Sequence, residues 1–218
     1  MIVAIANRDG CDTAERLSRI VLADGSAGHI VPDRLSRSDA LLRDVADALH
    51  QLCSLHGRHP GVVDHAARSD LHPTASAWLE QAAAAFADER AYLIRVSAAV
   101  GPPPGTPGQA AAEAALAAQR HAIDLLARSV RPGCALGAAI AVTLDWPALR
   151  RPLDATAIRL GLETVPNALP STAQTLRLID TVAAEAPIER AMTFGLQQLL
   201  AQHRGLWDLL DARAGSRS

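Results

Sequence analysis

Five of the chain's eight histidines, His50, His56, His59, His65 and His72, fall in one stretch, HQLCSLHGRHPGVVDHAARSDLH, together with Cys53, one of three cysteines. No other part of the chain gathers so many groups able to bind a metal or move a proton. His50, Cys53, His56 and His59 stand three residues apart. Neighbours at that spacing share a helix face, so a pair of them could hold one metal ion. A complete site would need ligands from elsewhere, because Gly57 and Pro60 end the helix at that point. Arg58, Asp64 and His65, close to Gly61, could instead bind a small anion. The plainer account is a loop whose polar groups cap helix ends.

A second set emerges when the helical stripes are rotated by about 100° per residue. Cys53 and His56 share the face of Leu49, with His50 at its edge. Glu89 lies between Phe86 and Leu93, and Gln119 between Leu116 and Ile123. Thr143 points inward, Arg150 flanks Leu149 and Leu153, and His203 sits between Leu199 and Leu206. A polar group on an apolar face costs free energy unless it finds a partner. His56, Glu89 and His203 are therefore the candidate catalytic or metal-binding residues, and Gln119, Arg150, Arg58 and His65 the candidate ligand-binding ones. Two histidines and a carboxylate suit a transition metal or acid/base work. They suit equally a satisfied buried network in which Glu89 pairs with Arg150 and His203 donates to a carbonyl or to Gln119. Two-metal bundles need Glu-x-x-His pairs. None occurs here, and Asp47-x-x-His50 is the nearest approach. No motif implies a cofactor. Cys134 and Cys53 read as small core residues, although a helix start could activate Cys134.

The elements that must position these groups are helical. Asp12 can cap a helix to about Leu22, with Glu15 as its capping-box partner. MIVAIA, before it, could be a short strand or an extended arm. Val31-Pro32 reads as extended. Ser38 can cap a helix to about His56, a short helix follows over Gly61–Ser69, and Asp70 and His72-Pro73 open the next. Long helices are expected over 73–100, 107–130, 134–162 and from Pro187 to about Ala212. The third should kink or restart at Trp146-Pro147, with Asp145 as a cap. GPPPGTPG (101–108) reads as an exposed connection, and Ser171 caps a helix to about Ala186. The expected fold is all-α: an antiparallel bundle of four long helices with extra short ones, ferritin-like in shape at most. The expected organisation is an N-terminal arm and short helix over 1–37, a bundle over 38–214 and a frayed tail over 215–218.

Composition agrees with that class. The chain has 218 residues, 49% hydrophobic but only 3% aromatic, so Ala, Leu, Val and Ile must build the core. The formal net charge is -2 with the signs interleaved. This argues against nucleic-acid or membrane partners. All 21 basic residues other than histidine are Arg, which a GC-rich genome explains. Three scattered cysteines and no signal-like segment fit a soluble cytoplasmic protein.

LHGRHPGVVDHAA (55–67), TPGQAAAEAALAAQRHA (106–122), GCALGAAIA (133–141) and QHRGLWDLL (202–210) together resemble a family of alphaproteobacterial proteins, found mainly in sphingomonads, that carries a domain-of-unknown-function label. The resemblance covers most of the chain from about residue 30. It implies a bacterial cytoplasmic origin and transfers no site. The reading that follows is a non-enzymatic bundle that binds a small molecule or forms a homo-oligomer or partner interface, with Leu206, Trp207 and Leu210 as a possible seam. The alternative is an enzyme with a single-metal or acid/base site at His56, Glu89 and His203.

Overall fold

A computed structural model describes residues 9–68 and 73–217. The readings made on residues 1–8, Asp70 and His72 lie outside them, as do the side chains of Cys11 and Asp12. Among the described residues every element is helical. The chain runs α1 (Asp9–Asp24), a single 3-10 turn (Ser26–Gly28), α2 (Ile30–Leu35), α3 (Leu42–His56), α4 (Val62–Arg68), α5 (Pro73–Ala99), α6 (Gln109–Ala127), α7 (Cys134–Arg159), α8 (Thr172–Val182) and α9 (Ala186–Gly215).

Local chemistry explains most boundaries. Ser171 and Gln174 form a full capping box on α8, and Pro187 sits in the first turn of α9. Two starts differ from expectation. α3 begins at Leu42 without a side-chain cap, because Ser38 lies in a turn before it. Val31-Pro32 is helical, since proline is tolerated in a first turn and the His29 ring accepts from the Val31 amide.

α7 is the central element. It runs unbroken through Pro147 and Pro152, and nearly every residue from Cys134 to Leu153 is buried. A kink or restart is expected at Trp146-Pro147, and the helix does not restart there. Packing on all sides outweighs the roughly 3 kcal/mol that a proline costs a helix interior. Its main partner is α9. Gly133 faces Ile188, Gly137 faces Met192 and Asp145 meets His203, so the two helices run parallel, with α8 carrying the chain back between them. The approach needs glycine on both sides. A Cβ at Gly137 would lie 1.9 Å from the Met192 carbonyl oxygen, and one at Gly195 would lie 2.1 Å from that of Cys134.

α3 packs antiparallel to α5, with Ser97 donating to the Leu49 carbonyl and His56 against Phe86. It is also antiparallel to α9, through His56–His203 and Asp47–Arg213. Near the C-terminal end, Arg217 pairs with Asp44 and Asp47 and donates to Thr106, a buried residue in the connection expected to be exposed.

Candidate functional site

Two of the buried polar clusters lie on either side of the Trp146 indole. The first is a chain of hydrogen bonds across four elements. Asp145, on α7, accepts from the Ser26 amide (2.7 Å) and hydroxyl (2.6 Å) and from Nδ1 of His203 (2.7 Å). The Trp207 indole donates to the Ser26 hydroxyl at 2.9 Å. With Nδ1 of His203 donating to a carboxylate, its Nε2 accepts from Nε2 of His56, 3.0 Å away. His203 is wholly buried, Asp145 is 2% exposed and Ser26 1%. Gly25 permits the turn, since a Cβ there would lie 2.7 Å from the Asp145 carboxylate.

His56 also meets Phe86, Trp146 and His203 edge-on. Burial in this apolar surround, with His203 and Arg90 adding to it, holds its pKa well below the usual histidine value. It is a neutral imidazole at pH 7.

The second cluster centres on Glu89, 1% exposed on α5. It accepts from the Trp146 indole at 2.8 Å and from Nη1 of Arg150. Arg150 also reaches Asp154 and the Val165 carbonyl, and lies over the Tyr92 ring at 5.0 Å. Tyr92 donates to Asp154 at 2.8 Å. Burial raises the Glu89 pKa, and the indole and Arg150 only partly offset it.

The sequence candidates are thus distributed over separate places. His56 and His203 touch each other. Glu89 and Arg150 touch each other on the far side of Trp146. Gln119 joins neither cluster: it packs on Gly205 of α9 and its buried Oε1 has no partner among the described residues. Arg58 is exposed, and the Nε2 of half-buried His65 is buried without a partner among the described residues. Asp64 is held by Arg90 at 2.5 Å and caps the Gly61 amide. His50 bonds the Gly101 carbonyl at 2.7 Å. Cys53 is half-buried and Cys134 buried. Among the described residues no group of three or more His, Cys, Asp and Glu side chains is placed to hold a metal ion.

Sequence reasoning passed over Asp145 by treating it as a helix cap. The available signal was its being the single charge in Cys134–Leu149. Nothing in the sequence singled out Ser26.

Two adjoining openings to solvent lie elsewhere. A groove runs along α2, the 36–41 turn, the start of α3 and the end of α7. One cavity of about 460 Å³ is walled by Ile30, Leu35, Leu41 and Asp44. An adjoining one of about 360 Å³ is walled by Leu35, Val45, Thr156 and Ile158, and Arg37 borders both. Ile30 is 70% exposed, Leu41 54% and Ile158 70%. Three cations at the rim are paired, Arg34 with Asp211 (2.7 Å), Arg151 with Asp33 (2.6 Å) and Arg37 with Asp39 (3.0 Å), whereas exposed Arg159 donates to the Ala40 carbonyl at 2.6 Å. Neither cavity is lined by His56, Glu89, Asp145 or His203.

A family model covers residues 21–218, described as a family of unknown function, DUF6975. The chain belongs to that family. The match takes in the groove, both buried clusters and the whole bundle from the end of α1 onward. No curated protein and no solved structure matches the chain. No helix among the described residues is long and apolar enough to cross a membrane.

Proposed function

We propose that this chain is a non-catalytic binding protein whose site is the groove between α2, α3 and α7, and that its ligand is a small, elongated aliphatic molecule. The observation that carries this reading is the pair of adjoining cavities of about 460 and 360 Å³ bordered by exposed Ile30, Leu41 and Ile158. Volumes of this order match small-ligand sites. Large aliphatic side chains grouped at a concavity are the kind of surface that binds something. Arg34 and Arg37 are paired with carboxylates within the chain and Arg159 donates to the Ala40 carbonyl, which leaves apolar contact as the main attraction. The interior histidines bond to each other, Glu89 bonds to Trp146 and Arg150, and none of them lines either cavity, which supports a structural rather than catalytic role for them. The sequence resemblance supports placing the protein in a bacterial cytoplasm.

The test is titration with the neutral fluorophore N-phenyl-1-naphthylamine, displaced by decanol. Wild type should bind, and Ile30→Asp/Ile158→Asp should bind at least about tenfold more weakly, since each lost aliphatic contact is worth on the order of 1.5 kcal/mol. Equal binding by the variant overturns the reading. A wild-type dimer that the same variant dissociates would make the groove a self-association seam instead.

A further inference from the structure

The two cavities of the groove differ in charge. Three carboxylates, Asp33, Asp39 and Asp44, border the cavity walled by Ile30 and Leu41. Each has an arginine partner, Arg151, Arg37 and Arg217 respectively. Among the described residues no acidic side chain borders the second cavity, and its cations are Arg37, engaged by Asp39, and Arg159. Arg159 is the last residue of α7 and is exposed. It has no carboxylate partner among the described residues. Its Nη1 donates to the carbonyl of Ala40, a residue of the first cavity, so the guanidinium is held where the two cavities adjoin. We propose that the ligand of the groove is a straight-chain carboxylate, with its head on Arg159 and its aliphatic tail toward Ile30, Leu35 and Leu41. The proposal rests on the groove being the ligand site and names the class of molecule that fills it.

The chemistry of the head follows from Arg159. A carbonyl is neutral, so the Ala40 contact positions the guanidinium without cancelling its charge. A guanidinium carries five N–H donors in a planar fork, and those not turned to Ala40 can meet both oxygens of one carboxylate. A single uncompensated cation matches a single negative charge. The direction of the tail follows from the same asymmetry. An anionic head in the first cavity would lie among Asp33, Asp39 and Asp44, whereas an aliphatic tail there covers Ile30, which is 70% exposed, and Leu41, which is 54% exposed.

The end of a helix dipole is negative and would oppose an anion beside the last turn of α7. That opposition is blunted here. The Thr156, Ala157 and Ile158 carbonyls already accept from the amides of Leu160, Leu162 and Gly161.

Displacement of N-phenyl-1-naphthylamine from the full chain at pH 7.5 tests this with decanoate, decanol and decylammonium, which share a tail and differ in the charge of the head. Wild type should bind decanoate about tenfold more tightly than decanol, the low end for a hydrogen-bonded charge pair because Arg159 is exposed. Decylammonium should bind most weakly. The advantage of decanoate over decanol should shrink as sodium chloride is raised, because the pair is open to screening. Arg159→Gln, which keeps an amide donor for the Ala40 carbonyl, should bind decanol as wild type does and lose the decanoate advantage. Equal wild-type affinity for decanoate and decanol, a preference for decylammonium, or a decanoate advantage that survives in Arg159→Gln overturns the carboxylate assignment and leaves the groove reading standing. Displacement by none of the three overturns the groove reading, and this assignment with it.

Discussion

Replacing Glu89 by Leu isolates one of the most deeply buried cations in the protein. The Arg150 side chain is 6% exposed, and Glu89 is the anion that faces it from within the core. Breaking a buried pair by removing one partner costs about 3–5 kcal/mol, because the remaining charge is neither solvated nor neutralised. Asp154 and the Val165 carbonyl stay bound to Arg150. They favour the lower end, about 3 kcal/mol. The Trp146 indole also loses its acceptor, adding about 1 kcal/mol. A total near 4 kcal/mol is a large part of the 5–15 kcal/mol available to a typical domain. Glu89→Leu should therefore fold only marginally. Glu89→Leu/Arg150→Leu removes both charges and should recover more than half of the loss, since well-packed apolar replacements of a buried pair are close to neutral. Urea unfolding at pH 7, followed by far-UV circular dichroism, measures the full double-mutant cycle. Strict additivity of the two single changes, or a Glu89→Leu cost below about 1 kcal/mol, would refute the structural assignment of Glu89 and return it to the candidate catalytic groups.

Two further outcomes follow from the packing and charge. Gly137→Ala should lower the melting temperature by more than about 10 °C or prevent folding, because its Cβ would lie 1.9 Å from backbone oxygen on α9; a melting temperature within a few degrees of wild type would show that α7 and α9 are not in such contact. Asp47 is wholly buried; burial pushes its pKa up, but the hydrogen bonds from Arg213, Arg217 and Gln51 outweigh this and hold it below the usual carboxylate value. Its stabilisation is therefore complete above about pH 3.9 and is lost as pH falls through the lowered folded value. Asp47→Asn should cost about 2–3 kcal/mol at pH 7 and progressively less in urea unfolding at pH 3; a cost independent of pH would remove the ionic account.

The helical class and most element positions are legible in the chain because they depend on local periodicity and punctuation. Leu49, Phe86, Leu93, Leu116 and Ile123 fall on the stripes that the sequence sets out, and each is buried. The same rotation placed Glu89, Arg150 and His203 inward, where the structure has them. Pairing Glu89 with Arg150 needed only opposite charge on facing apolar surfaces. The partner of His203 was not legible. Asp145 follows a long apolar run and precedes Trp-Pro, a local pattern that a helix cap also satisfies. Its burial depends on α7 being enclosed on every side.

The sequence by itself determined an all-helical chain with a small-residue core, the turns that separate its helices, and which faces must be covered. The tertiary structure alone decided which inward polar groups meet. Helix faces are read from spacing within one segment, whereas contacts depend on the depth and direction at which segments cross. Gly137 and Gly195 bring α7 and α9 together in parallel and so set Asp145 against His203. Trp146 divides His56 from Glu89, two groups that the stripes alone would have allowed to converge. The groove was equally a matter of assembly, since Ile158 lies far along the chain from Ile30 and Leu41 and joins their surface only when α7 packs beside α2 and the start of α3.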